Sequence, residues 1–376
     1  MVSPPLGPLP VLRYSQHMDE KNALIGHINK IRYCFPERIS TKPKTDSSFF
    51  ACIKTLIHNP DNPLFMNYYP HPAEGLDLKE VNAAIEEAFA EHGRGKVQMP
   101  AKLYTYFEHG DFRTMPGYIP SMGMAGVKIV NVHPGNRAYD LPTVMALTVI
   151  IDIDTGIPLA ILNATKLTDL RTAAAGAVAA KYLSPQRSIT LGCVGSGRQA
   201  QTQVRAIAEE LEITEVLVWS RNSNNAEDFC EINRDLECRV SGIERVAGCD
   251  VVVTATPSRK PLVMGEWISD GTHINAIGAD ATGKEELDPA ILNRATVIVD
   301  DPAQAVHSGE INVPISKALY NEKMIAGTLG EYVLGHKQRK NQDEITVFDS
   351  TGLSIQDLAI AKIAISGKDS IDLPFS

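Results

Sequence analysis

The sequence predicts an α/β protein in which a doubly wound parallel sheet is joined to a second, α+β region. Two patterns predict this class. After residue 188, short β-branched runs alternate with helical patterns, which is typical of a parallel sheet with helical crossovers. Between residues 100 and 163, strand-like runs are separated by turn residues, which is typical of a mostly antiparallel sheet. The 376 residues suffice for about two to three domains.

The first 60 residues are the least patterned part of the chain. Four prolines occupy the first ten positions, and a weakly patterned basic run follows. We interpret residues 1–60 as an N-terminal extension of unknown role. The first clear element is a helix predicted over Asp77–Glu91, where Asp77 can cap the helix, Glu80 follows three residues later and apolar residues recur at helical spacing.

An alanine-rich helix follows the antiparallel region. The pattern LTDLRTAAAGAVAAKYL predicts a helix over Leu167–Leu183, with Thr168 as its N-cap and one face of small residues that packs closely on another element. Arg171 then falls on the first turn, where the helix dipole repels a cation. Its position therefore favours an anionic ligand.

The parallel sheet is predicted from short β-branched runs, of which the first two flank a helix over Gln199–Leu211. These runs are Ser188–Val194, Glu215–Ser220, Asp250–Thr256, Thr272–Ile277, Thr296–Asp300 and Glu344–Phe348.

A glycine-rich turn joins the first of these strands to its helix. The residues Gly195-Ser196-Gly197-Arg198-Gln199-Ala200 form the pattern G-x-G-x-x-A. Gly195 permits a tight turn, Gly197 lets the backbone approach a pyrophosphate, and Ala200 keeps helix and sheet close, while Arg198 and Gln199 open the helix whose N-terminus attracts an anion. This context predicts a Rossmann-type dinucleotide site; the alternative is a tight turn without a ligand.

The choice of dinucleotide is normally made at the end of the second strand. An Asp or Glu about 20 residues after the turn would bind a ribose 2′-hydroxyl, but this chain has Ser220 and Arg221 there. A hydroxyl and a cation suit a 2′-phosphate better, so we expect NAD(P), with NADP slightly favoured over NAD. Arg221 could instead stack on adenine or face solvent.

Four cations stand in apolar or glycine-rich surroundings: Lys102, Arg113, Lys128 and Arg171. Any one of them could be an ordinary solvated charge. Lys128 is distinctive, because its strand neighbours Val127 and Ile129 point the other way and leave it the lone polar member of one face. A dehydrogenase of amino acids needs two or three such cations to hold a carboxylate, and one acid to manage protons.

Asp280 is the best candidate for that acid. It follows the strand NAIGA, at the carboxyl end where open α/β sheets bind ligands. It could exchange a proton with a substrate amine or with water, or it could merely cap the next helix. Asp349, Ser350 and Thr351 end the last strand in the same way, and Thr256 ends another; we expect these residues beside the cofactor.

Composition and charge exclude several other classes. The formal net charge of −9 argues against a general nucleic-acid binder, since phosphate contacts need clustered Lys and Arg. No apolar stretch is long enough for a membrane span, and nothing at the N-terminus directs export, so we expect a cytoplasmic protein. The six cysteines lack metal-ligand spacing, so we expect no metal and reduced thiols.

These motifs together resemble the ornithine cyclodeaminase and mu-crystallin family over residues 66–376, and within it the archaeal-type alanine dehydrogenases. The resemblance rests on the stretches MPAK, DFRTMP, GVKIVNVHPGN, LPTVMAL, LTDLRTAAAGAVAAKYL, GSGRQAQTQ, TPSRKPLV, GTHINAIGAD, KEELD, VDDPAQAVHSGE and FDSTGLSIQD. In cyclodeaminases the position of Lys102 is usually Arg, and that of Arg113 is a Glu that holds the distal ammonium of ornithine. Arg113 would repel that ammonium, so the chain departs from the cyclodeaminase pattern.

The resemblance implies roles for these residues. Lys102, Lys128 and Arg171 match carboxylate-binding or catalytic positions, Thr143 lies in the pocket, and Asp280 matches the general acid/base. It also implies a metal-free homodimer in which a discontinuous substrate-binding and dimerisation domain, here 61–181 with 351–376, accompanies a dinucleotide-binding domain over 182–350.

Three functions remain open from the sequence. The first is an NAD(P)-dependent dehydrogenase that converts a small L-amino acid, alanine by preference, reversibly to its 2-oxo acid and ammonia. The second is an ornithine cyclodeaminase that forms proline on bound NAD. The third is a ketimine reductase or a crystallin-like protein that binds the nicotinamide without turnover, which the intact set of charged residues disfavours.

Overall fold

The structure, a computed structural model, describes residues 65–375. The predicted extension over residues 1–60 lies outside the described residues. Two sheets account for most of the strands, and long helices pack between and around them.

The first sheet has seven strands in the order β17-β1-β6-β5-β4-β3-β2. All neighbours are antiparallel except β1 and β6. The mostly antiparallel sheet predicted from residues 100–163 is therefore present, and chain segments from both ends of the described region complete it. Its strands are β1 Phe65–Tyr69, β2 Leu103–Phe107, β3 Gly110–Ile119, β4 Met124–Val132, β5 Val144–Ile151, β6 Pro158–Asn163 and β17 Ile371–Pro374.

The second sheet has eight strands in the order β15-β14-β16-β12-β10-β7-β8-β9, and all of its neighbours are parallel. The chain leaves β7 toward β8 on one side and returns to β10 on the other, so β7 lies at the point where the winding reverses, which is where such sheets bind ligands. Its strands are β7 Ser188–Val194, β8 Glu212–Trp219, β9 Cys238–Val240, β10 Val251–Thr254, β12 His273–Ala276, β14 Thr296–Val299, β15 Ile325–Thr328 and β16 Thr346–Asp349; β11 Arg259–Val263 and β13 Glu285–Leu287 form a separate pair. This is the predicted doubly wound, Rossmann-type sheet.

Ten α-helices are described. They are α1 Leu78–Gly93, α2 Thr165–Leu183, α3 Arg198–Ala208, α4 Ser223–Ile232, α5 Ile243–Ala247, α6 Pro289–Arg294, α7 Pro302–Ser308, α8 Asn312–Ser316, α9 Leu329–Val333 and α10 Ser354–Ala364. As predicted, Asp77 caps α1 and accepts a hydrogen bond from the backbone N–H of Lys79 at 2.9 Å. Among residues 65–375, none of the helices combines the length and apolarity that crossing a bilayer requires.

The alanine-rich helix α2 contributes to two cores. Ala174 and Val178 pack in the core beside the first sheet, while Ala173 and Ala177 pack in the core formed with α3 and the start of the second sheet. Gly176 sits where α2 meets α3: an added Cβ would lie 2.1 Å from the side-chain oxygen of the buried Gln203. The small residues therefore serve two faces, where the sequence predicted one.

The predicted start of α2 at Leu167 is wrong by two residues, and the predicted N-cap, Thr168, is not the N-cap, which is Ala164. The helix begins at Thr165, directly after β6, and Thr168 is an interior residue whose backbone N–H donates to Ala164 O at 2.8 Å. The backbone N–H of Ala146 donates a hydrogen bond to the hydroxyl oxygen of Thr165 at 3.1 Å. This bond connects the start of the helix to β5. Arg171 consequently lies on the second turn, and the argument from repulsion at the first turn no longer applies.

Candidate active site

A cleft of about 580 Å³ lies where the carboxyl ends of β7, β10, β12 and β16 face α2 and the strands β3 and β4. Most of the predicted site residues meet here. Those that line the cleft are Lys102, Arg113, Lys128, Thr143, Arg171, Gly197, Arg198, Gln199, Asp280 and Ser350. Residues that are more than 100 positions apart in the chain thus share one cavity.

The glycine-rich turn has the geometry that a dinucleotide phosphate requires. Gly195 adopts φ +108°, and a Cβ there would lie 2.8 Å from Ala255 O, so only glycine fits. A Cβ on Gly197 would meet no atom within 4 Å, which leaves open space beside the N-terminus of α3. Ala200 is fully buried between α3 and the sheet. These features fit a bound pyrophosphate.

The first residues of α3 also reach across the cleft to α2. Gln199 Nε2 donates to Asp169 Oδ1 at 2.7 Å, and Arg198 Nη1 lies 3.4 Å from Asp169 Oδ2. Burial raises the pKa of Asp169 despite the nearby Arg198 charge. These contacts connect the start of α3, directly after the glycine-rich turn, to α2, the helix that carries Arg171.

Lys128 and Arg171 share a single carboxylate, that of Asp357. Lys128 Nζ lies 2.8 Å from Asp357 Oδ1 and 2.7 Å from Oδ2, and Arg171 Nε lies 3.0 Å from Oδ1. Arg171 Nη1 also donates to Gln356 Oε1 at 2.9 Å. Burial, together with the positive charge of Arg171, lowers the pKa of Lys128 to about 7. When Lys128 is protonated, two cations face one anion and this corner of the cleft carries an excess of positive charge.

Lys102 enters the cleft from the segment before β2. Its Nζ donates to the backbone oxygen of Thr351 at 2.5 Å. Burial lowers the pKa of Lys102 to about 8, although the carboxylates of Asp300 and Asp280 oppose the shift. Lys102 is therefore a cation that can lose its proton near neutral pH.

Asp280 lies between two cations. Arg113 Nη1 donates to its Oδ2 at 3.0 Å, and Lys284 Nζ donates to its Oδ1 at 2.5 Å. Burial alone would raise the pKa of Asp280, but the charges of Lys284 and Arg113 outweigh burial and hold it below its ordinary value. Arg113 Nε in turn donates a hydrogen bond to Asp111 Oδ1 at 2.8 Å. The guanidinium carbon of Arg113 lies 5.1 Å from the centre of the Tyr104 ring. The next element after Asp280 is β13, so Asp280 caps no helix.

Besides Gly195 and Ala200 of the glycine-rich turn, three predicted cofactor residues lie outside the lining of the cleft: Ser220, Arg221 and Thr256. Ser220 and Arg221 follow the carboxyl end of β8, where Arg221 is exposed. Thr256 lies between two lining residues, Ala255 and Pro257, and its N–H and hydroxyl both donate to Glu286 Oε1 at 2.7 Å.

Asp349 was expected beside the cofactor, and that expectation is wrong. Its buried carboxylate accepts the backbone N–H groups of Glu310 at 2.8 Å and Ile311 at 3.2 Å. The side chain therefore points away from the cleft, which Ser350 and Thr351 line in its place.

Sequence reasoning missed the acidic partners of the predicted cations. Asp357 and Asp300 face Lys128 and Lys102 from segments more than 190 positions away, and no local pattern signals such pairing. Lys284 could have been found, since it follows Asp280 by four residues and opposes it in charge. One wall of the cleft is apolar and includes Met115, Val130 and Val132. This wall suits a small aliphatic substituent.

The sequence profile of the ornithine cyclodeaminase/mu-crystallin family matches residues 72–367. The chain belongs to this family. The matched region contains both sheets' central strands and every residue of the cleft named above. Among residues 65–375, no group of His, Cys, Asp and Glu side chains is arranged to hold a metal ion.

Proteins with a described activity or structure resemble most of the chain. Alanine dehydrogenase of Archaeoglobus fulgidus is 48% identical over 292 residues, which cover 77% of this chain and 90% of that protein. The structure of an archaeal alanine dehydrogenase dimer with bound NAD matches with a TM-score of 0.80 and 44% identity, over 83% of this chain and 100% of that chain. The Δ1-pyrroline-2-carboxylate reductase of Thermococcus litoralis, solved with NADH and L-proline, matches with a TM-score of 0.77 and 34% identity, over 80% of this chain and 96% of that chain.

Proposed function

We propose that this protein is an NAD(P)-dependent dehydrogenase that interconverts a small L-amino acid, alanine by preference, with its 2-oxo acid and ammonia. The observation that carries the proposal is the pair of buried cations, Lys128 and Arg171, that share Asp357 at one end of the cleft. The excess positive charge there suits the carboxylate that every amino acid and 2-oxo acid carries. The likeness to alanine dehydrogenases supports the choice of substrate.

The chain's own residues would divide the chemistry as follows. A nicotinamide dinucleotide held at Gly195, Gly197 and the start of α3 would supply the hydride acceptor for the substrate Cα–H. Lys128 and Arg171 orient the substrate carboxylate. Asp280, which Lys284 and Arg113 keep ionised, is in the state that accepts a proton from the amine or from attacking water.

The rival cyclodeaminase activity is opposed by Arg113. A diamino acid would place its second ammonium in the cleft, and Arg113 carries a guanidinium that Asp111 and Asp280 hold in place. The deciding assay supplies L-alanine or L-ornithine with each nicotinamide cofactor and measures both reduced cofactor and proline. Reduced cofactor from alanine is the expected result. Proline without net reduced cofactor would overturn the proposal.

For the cofactor we propose NADP in slight preference to NAD, although the related structures named above hold NAD or NADH. The end of β8 offers Ser220 and Arg221 and no carboxylate, and the Arg221 side chain is exposed. Arg221→Ala should weaken NADP(H) binding about ten- to a hundredfold and NAD(H) binding much less, by isothermal titration. Equal losses would mean that Arg221 does not contact a 2′-phosphate.

We also propose that the protein is a cytoplasmic homodimer and that residues 61–181 with 351–376 form its substrate-binding and dimerisation domain. One face of the first sheet supports this. Most side chains of β4 and β5 that point away from α10 are apolar and only partly buried, among them Ile129, Met145 and Leu147. They border a surface cavity of about 920 Å³. A second copy of the chain would bury this face.

A further inference from the structure

Two cysteines meet at the outer edge of the parallel sheet. Cys230 lies in the last turn of α4, and Cys238 begins the edge strand β9, which pairs only with β8 in the sheet. Their Sγ atoms are 2.6 Å apart, against about 2.05 Å in a disulfide. The backbone thus already holds the two sulfurs nearly at bonding distance.

The pair is accessible, unlike the other described cysteines. Cys230 and Cys238 are half-buried and line a surface depression of about 480 Å³, whereas Cys193 and Cys249 are buried. The depression is also lined by Glu227, Glu231 and Glu237 against a single cation, Arg234. An anionic oxidant such as a glutathione disulfide would be repelled there, so a small neutral oxidant is favoured.

We propose that Cys230 and Cys238 are a redox site, at which a small hydroperoxide converts the two thiols into a disulfide and a thiol reductant converts the disulfide back into two thiols. In the first step a sulfur–oxygen bond forms on Cys230 as the peroxide O–O bond breaks; the thiol proton leaves with the other peroxide oxygen as water, or as an alcohol when the oxidant is an alkyl hydroperoxide. In the second step Cys238 sulfur attacks Cys230, the S–O bond breaks and the proton of Cys238 leaves with the hydroxyl as water. The thiols lose two electrons and the peroxide gains them.

We assign the reaction with the peroxide to Cys230 and the resolving step to Cys238. Burial and the hydrogen bond with Cys230 raise the pKa of Cys238, which favours its thiol form. The single variants described below test this order.

The disulfide would restrict the movement of the edge strand β9. It would close the loop formed by residues 231–237 and join β9 covalently to α4. Closing a loop of this length should raise Tm by about 5 °C, since the unfolded chain loses conformational freedom.

The sequence makes the test direct, because Arg234 separates the two cysteines. Trypsin yields Asn222–Arg234 with Cys230 and Asp235–Arg239 with Cys238. The full-length protein is treated with hydrogen peroxide, alkylated, digested without reductant and analysed by mass spectrometry. We expect the two peptides joined with the loss of two hydrogens, separation by dithiothreitol, and a Tm rise that dithiothreitol reverses.

Variants define the roles. Cys238→Ser should leave Cys230 as its sulfenic or further oxidised form, with no Tm rise, while Cys230→Ser should leave Cys238 largely as the free thiol. Both peptides recovered alkylated from the peroxide-treated wild type, or oxidised without a link, would overturn the proposal. The readout does not depend on catalysis, so it is independent of the dehydrogenase function.

Discussion

At the scale of single residues, the cleft is organised by the pairing of charges in buried surroundings. Lys128 is 1% exposed and depends on Asp357, which it shares with Arg171. A buried ammonium is unfavourable unless an anion compensates it, and here the compensation is incomplete. A ligand carboxylate would complete the compensation. We therefore expect a bound carboxylate to raise the affinity of Lys128 for its proton.

Lys128→Met should separate binding from folding. We expect KM for the 2-oxo acid to rise about ten- to a hundredfold, because a charge-assisted contact is lost. The Arg171–Asp357 pair remains and is then balanced, so the variant should fold. Lys79→Met, at an exposed position on α1, is the matched control and should leave KM unchanged. Steady-state kinetics at a fixed cofactor concentration measure KM for each variant. An unaltered KM in Lys128→Met would contradict the proposal that Lys128 binds the substrate carboxylate.

The same substitution should change how stability depends on pH. The pKa of Lys128 is about 7 in the fold, below its ordinary 10.5. Between these values the unfolded chain binds more protons, so the wild-type free energy of unfolding rises with pH relative to Lys128→Met, by at most about 1.4 kcal/mol per pH unit. Urea unfolding of both proteins at pH 7, 8 and 9 measures this difference. If the free energy of unfolding changed with pH equally in the two proteins, Lys128 would stay protonated from pH 7 to pH 9.

Asp280→Asn tests the proton transfer. Asparagine keeps the shape but cannot accept a proton, so kcat should fall about 10²- to 10⁴-fold. Cofactor binding, measured by titration calorimetry, should change little, because the substitution leaves the glycine-rich turn unchanged. Asp270→Asn, whose side chain is 77% exposed, serves as the control. A kcat within twofold of the wild type would assign the proton transfer to another group.

At the scale of secondary-structure elements, buried carboxylates tie together the loops that follow the parallel strands. Asp300 accepts from the backbone of Thr351 and Gly352, and Asp349 accepts from that of Glu310. Glu310 in turn accepts from Glu286 N at 2.8 Å, and Glu286 accepts from Thr256 and Gly278. The chain of contacts runs from beside Lys102 to the loops bordering the cleft.

Glu286→Gln should loosen two of those loops. Its Oε2 accepts the N–H of Gly278 at 2.9 Å, and an amide NH₂ placed there would oppose another donor. We expect the free energy of unfolding to fall by about 1–3 kcal/mol, by denaturant titration. Glu266→Gln at an exposed position controls for the loss of charge. Equal stability of both variants would mean that Glu286 does not hold the loops.

The central elements could be predicted from sequence, because their patterns are local. The run into Gly195 and the capped helix after Asp77 carry their own signals. The strands β1 and β17, at one side of the first sheet, carry none: their pairing depends on strands far away in the chain, and β17 has only four residues. For the same reason Lys128 could be identified as unusual, whereas its partner Asp357, 229 positions later, could not.

At the scale of the whole molecule, the partly exposed face of the first sheet is the strongest sign of assembly. Leu147 is 45% exposed at the centre of β5. Leu147→Lys should turn a dimer into a monomer, since a buried unpaired ammonium would oppose association. Light scattering coupled to size-exclusion chromatography measures the mass. The matched control is Ile232→Lys, at a 53% exposed position in α4; a monomeric wild type would contradict the proposed dimer.

The helix α2 has a mechanical consequence. Its opposite sides pack in two separate cores, so moving the two sheets apart would disrupt one set of closely packed alanines. We therefore expect the width of the cleft to change little when a ligand binds, and the size of the cleft to contribute to discrimination among substrates.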